Sequence, residues 1–106
     1  GLIDGIHNKF GNSFYSRRDI SLPKLINPSA GYELLKKTYK KTLTGVKGIK
    51  DYDGVKFIWN DDSWLLIRFS GTEPVVRVYA ESGSAAGMRN LLKSGSELAR
   101  KALKVF

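Results

Sequence analysis

In three stretches of the chain apolar side chains fall at every second position. Val55, Phe57 and Trp59 alternate with Lys56 and Asn60; Leu65, Ile67 and Phe69 with Trp64, Leu66 and Arg68; Val76, Val78 and Ala80 with Arg77, Tyr79 and Glu81. A period of two is the mark of a strand with one buried face. Asp53-Gly54 before the first stretch and Asn60-Asp61-Asp62 after it are turn signals. A shorter strand is expected near residues 46–51, and residues 12–23 read as extended. The result is three antiparallel strands in succession, with a fourth beside them.

Elsewhere the period lengthens. Leu2, Ile3, Ile6 and Phe10 recur at helical spacing ahead of Gly11, predicting a helix over 2–10. Asn27 followed by Pro28 is a capping residue with proline at the first helical position, so a helix should run from there to about Leu43 and stop before Gly45. Its apolar stripe is Leu35, Tyr39 and Leu43. Lys36 and Lys40, and Lys37 and Lys41, stack on the outside at i,i+4, as a solvated helix face. Ser84 can cap a last helix whose broad apolar face carries Met88, Leu91, Leu92, Leu98, Ala99, Ala102 and Leu103. Lys101 and Lys104 near its end suit the helix dipole. Together these elements predict an α+β domain: an antiparallel sheet of about four strands with two main helices on one face.

The 106 residues fit one small domain, and 42% hydrophobic with 26% charged residues is globular composition that excludes disorder. Nothing approaches the ~20 apolar residues that span a bilayer, and the polar-mixed start from Gly1 to Phe10 does not read as a signal peptide. Cysteine is absent, which excludes disulfides and thiolate chemistry and is compatible with a reducing, cytoplasmic setting. A start at Gly1 rather than methionine is consistent with a fragment of something longer. The net charge of +8 favours anionic partners without choosing among nucleic acid, phosphometabolites and lipid.

The segment Arg68 to Arg77, R-F-S-G-T-E-P-V-V-R, narrows that choice. Pairing Phe69 with Val76, Ile67 with Val78 and Leu65 with Ala80 buries every apolar residue of the hairpin on one face. The same register sets Arg68 opposite Arg77, off the core, at the neck of the loop. Like charges directly opposite each other are destabilising, and an anion held between them would relieve the conflict. The loop agrees: Gly71 permits unusual dihedrals and close approach, successive N–H groups can form an anion-binding concavity, Ser70 and Thr72 add hydroxyls, and Pro74 closes the turn with fixed φ. Guanidinium forks match phosphate oxygens. At about 1.5–3 kcal/mol per charged hydrogen bond, such a set would hold a phosphate monoester at micromolar to millimolar affinity. No general base accompanies a nucleophile here, so the expectation is binding and positioning, not bond-making. Glu73 is the awkward member, because a carboxylate repels phosphate; it is expected to orient one arginine or to point away.

Arg68 to Glu81, R-F-S-G-T-E-P-V-V-R-V-Y-A-E, resembles the C-terminal signature of the α-D-phosphohexomutases, the superfamily of phosphoglucomutase/phosphomannomutase, phosphoglucosamine mutase and phosphoacetylglucosamine mutase. Asp53-Gly54-Val55 and Ser63-Trp64 agree with it. The resemblance implies a fold similar to TATA-box-binding protein and a loop that holds the phosphate of a phosphosugar. The contacts then fall on Arg68, Ser70, Gly71, Thr72 and Arg77. Phe69 stands where many members have proline, which bears on loop stiffness. It further implies residues 1–22 as the tail of a preceding domain with an interdomain linker, 12–23 as a candidate hinge, and 23–106 as the phosphate-binding domain. The family's phosphoserine segment, its aspartate-rich magnesium loop and its sugar-reading loop do not occur in these residues. The implied full-length enzyme moves a phosphoryl group between the 1 and 6 positions of glucose or mannose phosphate through a hexose 1,6-bisphosphate, with Mg2+. This chain alone is expected to bind no cofactor and to be inactive, its partners being the phosphosugar and the other domains, with no membrane or nucleic acid.

Two rival readings stand beside that one. A small basic nucleic-acid-binding module would account for the +8 charge and the 11% aromatic residues; a domain that only docks to the rest of its chain would bind no ligand. His7, the sole histidine, reads as a surface position rather than a ligand. Asp61 and Asp62 read as a hairpin turn rather than a metal site, Trp59 and Trp64 as packing residues, and Tyr79 as sharing the arginine face. Arg17 and Arg18, in the expected linker, are expected to contact another domain or nothing.

Overall fold

A computed structural model of the chain describes residues 8–10, 13–51 and 53–103. Strands β1 (Asn8–Phe10) and β2 (Ser13–Ser21) are followed by helix α1 (Pro28–Thr38) and a short 3-10 turn (Tyr39–Lys41). Then come β3 (Gly48–Lys50), β4 (Val55–Ile58), β5 (Trp64–Phe69), β6 (Val75–Ser82) and helix α2 (Ala85–Leu103). Among the described residues the strands form one six-stranded sheet in the order β1-β2-β6-β5-β4-β3, and every pair is antiparallel. The expected α+β class and two helices stand; the sheet has two strands more than expected.

Both additions lie at the start of the chain. Residues 8–10 are strand rather than helix, and the rest of the helix expected over 2–10 lies outside the described residues. Residues 13–21, expected as part of a connector, pair with β6 from Phe14↔Ser82 to Ser21↔Val75. With β1 on its other edge, β2 is a bonded member of the sheet. Arg17 and Arg18 therefore point to opposite faces.

One face of the sheet is covered. Ile20, Val76, Val78, Ala80, Leu65, Ile67, Phe69, Val55 and Phe57 are buried there against both helices. From α2 come Met88, Leu92, Leu98, Ala99 and Ala102; from α1 come Gly31 and Leu35. Gly95 is required by this packing: a Cβ there would lie 2.7 Å from both Leu65 Cδ1 and Val78 Cγ1. Arg18 also belongs to this face. Its Nη1 donates to Ser96 Oγ at 3.1 Å, and that buried hydroxyl donates in turn to Leu92 O.

Helix starts follow the sequence. Asn27 accepts from Ala30 N, with Pro28 at the first position. Ser84 Oγ accepts from Gly87 N. The α-helical part of α1 ends at Thr38, short of Leu43, and tightens into the 3-10 turn. Thr38 Oγ1 donates to Leu34 O there, a local side-chain bond that competes with helix continuation.

Candidate functional site

The β5–β6 hairpin has the register set out above. Phe69 pairs with Val76, Ile67 with Val78, Leu65 with Ala80, and Arg68 with Arg77. Both arginines lie on the face opposite the helices. Tyr79 shares it, opposite Leu66, as do Trp64 and Tyr15, whose rings lie 6.1 Å apart. Lys56 Nζ sits 4.6 Å from the centre of the Trp64 ring, a cation–π contact. Burial, and then the neighbouring Tyr79, push the Tyr15 phenol above its ordinary pKa. Of the two tryptophans only Trp59 packs against the core, and its indole N–H donates to Thr44 O at 2.7 Å.

Arg68 and Arg77 are not left to repel one another. Asp53 Oδ2 lies 3.3 Å from Arg68 Nη2, and Asp19 Oδ2 lies 3.8 Å from Arg77 Nε. Asp19 Oδ1 is 3.2 Å from Arg17 Nε. Strand order turns these contacts into a line across the sheet. Asp19 on β2 is opposite Arg77 on β6, Arg77 is opposite Arg68 on β5, and Asp53 lies just before β4, the next strand. The charges along it read minus, plus, plus, minus. Part of the relief expected from an anion is thus supplied within the chain. Sequence reasoning missed both carboxylates. Asp53 carried a turn signal; Asp19 carried none until β2 was known to neighbour β6.

The loop between the arginines is organised by Ser70. Its Oγ accepts from the N–H of Thr72 at 3.3 Å and of Glu73 at 3.1 Å, and lies 3.4 Å from Thr72 Oγ1. Ser70 N donates to Val75 O, closing the hairpin. Two amides expected to line a concavity therefore turn onto the serine. The Gly71 N–H has no acceptor among the described residues. Gly71 is not at positive φ, and a Cβ there would meet nothing within 4 Å. Its contribution is an exposed amide rather than unusual dihedrals. Glu73 is exposed and forms no ion pair among the described residues, so no such contact ties it to either arginine.

The stem is held from two sides. Leu22 N donates to Pro74 O at 2.7 Å. From the helix side, Tyr32 Oη accepts from Phe69 N at 3.1 Å, and its ring packs on Phe69 with centroids 5.2 Å apart. Guanidinium groups, two hydroxyls and an exposed amide at the tip of a braced hairpin are donors suited to a tetrahedral oxyanion.

Other features lie elsewhere. A cavity of about 430 Å³ opens at the far end of the hairpin, lined by Trp59, Asn60, Ser82 and Asn90 among others, and includes no residue of 68–77. Asp61 accepts from the amide and hydroxyl of Ser63, which hold its carboxyl below the usual range; Asp62 has φ 67. The pair forms the expected turn. Among the described residues no three of His, Cys, Asp and Glu converge to hold a metal ion, and no helix is long and apolar enough to cross a membrane. His7 lies outside the described residues.

Residues 34–94, more than half of the chain, match the family model described as phosphoglucomutase/phosphomannomutase, C-terminal domain. The chain is 46% identical over 52 residues to a phosphoglucomutase/phosphomannomutase of Thermococcus kodakarensis, covering 49% of this chain and 11% of that protein. It is 36% identical over 64 residues to a probable phosphoglucosamine mutase of Methanosphaera stadtmanae, covering 60% and 14%. Over nearly its whole length, 98%, it is 28% identical to a probable phosphoglucosamine mutase of Pyrococcus abyssi, of which it covers 22%. The chain thus spans between about a tenth and about a fifth of the length of these relatives.

Proposed function

Because this chain belongs to the family of phosphoglucomutase/phosphomannomutase C-terminal domains, we propose that it is the module of a phosphohexomutase that seats the phosphate of a hexose phosphate on Arg68, Ser70, Gly71, Thr72 and Arg77. The observation that carries the reading is the direct pairing of Arg68 with Arg77 at the neck of that loop. Each guanidinium offers a planar fork to phosphate oxygens, the hydroxyls of Ser70 and Thr72 lie 3.4 Å apart in the loop that joins the two arginine strands, and Gly71 is exposed with no acceptor for its amide among the described residues. The nucleic-acid alternative is not favoured by the family.

In the longer protein that the relatives' lengths suggest, the proposed reaction moves a phosphoryl group between the 1 and 6 positions of glucose or mannose phosphate through a bisphosphate. The role of this module is to bind and orient. A seat that recognises a phosphate by guanidinium forks, and not by the ring behind it, accepts the bisphosphate by either end. Holding the far phosphate fixes the distance and angle of the near one, and such positioning lowers the barrier without any bond-making by these residues. Among the described residues no group of acidic or histidine side chains converges to hold a metal ion, so the Mg2+ of the proposed reaction is assigned to another part of the longer protein. A cytoplasmic setting belongs to the same proposal and accords with the absence of cysteine.

The test is a titration of the 15N-labelled chain with inorganic phosphate and with glucose 1-phosphate. Saturable shifts should concentrate at residues 68–77 and vanish in an Arg68→Ala, Arg77→Ala double variant, while the chain alone shows no mutase turnover. Shifts everywhere but that loop, or full affinity in the double variant, would defeat the reading.

A further inference from the structure

We infer that Asp53 and Asp19 are positioning residues that set the two arginine side chains before the anion arrives; the inference rests on the phosphate reading just given. The line Asp19, Arg77, Arg68, Asp53 runs across four neighbouring strands. Each carboxylate flanks its arginine on the outer side: Asp53 lies 3.3 Å from Nη2 of Arg68, and Asp19, whose other oxygen is 3.2 Å from Arg17 Nε, lies 3.8 Å from Nε of Arg77 in a looser pair. In this proposal the remaining guanidinium N–H groups serve an anion above the Arg68–Arg77 pair. A dianion seated over that pair completes an alternating row of charge, minus, plus, minus, plus, minus. An arginine already held in place surrenders less rotamer freedom when the ligand binds.

Folding stability does not account for the Asp53 contact. The side chains of Arg68 and Asp53 are 48% and 63% exposed, and ion pairs so open to water add little to the folded state. Yet Asp53 sits at φ 55, in left-handed backbone that residues with a Cβ seldom occupy. The next residue, Gly54, has φ 132 and lies so close to β5 that a Cβ would be 3.0 Å from Ile67 O and 3.6 Å from Arg68 Cβ. The turn is thus pressed against the strand at the arginine itself. An Asp-Gly turn alone would serve equally well with asparagine, which tolerates the same backbone; only the contact with Arg68 calls for a carboxylate.

The sign of one measurement separates positioning from plain electrostatics. Removing a negative charge beside an anion site should strengthen anion binding if charge alone matters. If the carboxylate positions Arg68, removing it should weaken binding. The experiment compares inorganic phosphate affinity in the native chain with Asp53→Asn, Asp53→Gly and Asp19→Asn. Asparagine and glycine both accept the backbone at position 53, so at least one variant keeps the turn. We expect a roughly tenfold weakening, as when an outer partner that orients a ligand is lost. The Arg68 or Arg77 side-chain N–H signals should broaden while the backbone amide spectrum stays dispersed. Unchanged or tighter phosphate binding in folded variants would overturn the inference and leave the phosphate reading standing. Absence of binding at residues 68–77 in the native chain would instead remove the phosphate reading and this inference with it.

Discussion

The backbone of Gly31 passes directly beneath the ring of Phe69: a Cβ on that glycine would lie 2.6 Å from one ring carbon and 2.8 Å from another. Gly31 is buried in the first turns of α1, and Phe69 is the last residue of β5 before the loop. This close approach seats the helix on the stem of the candidate site. Gly31→Ala should therefore destabilise the fold by about 1–3 kcal/mol, the usual cost of overpacking, despite alanine's better helix propensity. Urea unfolding measures it. Trimming the ring in a Gly31→Ala, Phe69→Leu double variant should recover part of the loss, because the two residues share one contact and their effects are not additive.

Tyr32 holds the same stem by a different means. β4 begins at Val55, which pairs with Ile67, so β5 runs past the start of β4 before reaching Phe69. The amide of Phe69 would lack an acceptor there, and Tyr32 Oη supplies one at 3.1 Å. Tyr32→Phe keeps the ring packing and removes the acceptor. The expected loss is about 1–3 kcal/mol, the cost of stranding a buried donor. Hydrogen exchange at the Phe69 amide should accelerate more than at Val78, in the middle of the sheet.

The hairpin was legible in the sequence because its two strands bury strictly alternating apolar residues, and only one register puts them all inside. That register alone set Arg68 beside Arg77. β2 was not legible as a strand of the sheet. Its core-facing row runs Ser16, Arg18, Ile20, so a hydroxyl and a guanidinium stand where alternation looks for apolar groups. Their burial is made tolerable by partners far along the chain, Ser96 being one. Asp19 escaped notice for the same reason. Its pairing with Arg77 is a consequence of strand order, which local pattern does not encode. The helical spacing of Leu2, Ile3, Ile6 and Phe10 misled where a three-residue strand forms by pairing rather than by its own periodicity. The unusual dihedrals expected of Gly71 are absent, for it does not lie at positive φ.

Charge and geometry can be separated at Arg77. Its Nε lies 3.8 Å from Asp19 Oδ2, and the proposed site uses the rest of the fork for the ligand. Lysine keeps the charge but has no Nε and no planar fork. Arg77→Lys should therefore weaken phosphate binding by about tenfold, the equivalent of roughly 1.4 kcal/mol, with the urea midpoint nearly unchanged. Affinity equal to that of the native chain would show that the site needs only positive charge at this position. Calorimetry with inorganic phosphate is sufficient, provided ionic strength is fixed, because screening acts on exposed charges.

Lys36 sets a pH dependence away from the candidate site. Its Nζ is 2.9 Å from Asp51 Oδ2 and 2.9 Å from Glu33 Oε1, tying α1 to the segment after β3. The hydrogen bond from Lys36 lowers the Asp51 pKa below its ordinary value, and the bonds to Asp51 and then Glu33 raise that of Lys36 above its own. For Asp51 the folded pKa is the lower one. Its contribution is full above the unfolded value and disappears as pH falls through the folded value. For Lys36 the folded pKa is the higher one, so its contribution is full below the unfolded value and is lost as pH rises through the folded value. The pair thus stabilises across a plateau bounded by an acid limb in the carboxylate range and an alkaline limb beyond the ordinary lysine range. Lys36→Met should flatten the part of the acid limb that belongs to Asp51, seen as a smaller drop in urea midpoint between about pH 5 and pH 2. Both groups are open to solvent, so the change should be small and should shrink further in high salt. An acid limb identical in the native and Lys36→Met chains would show that the depression of Asp51 has another source.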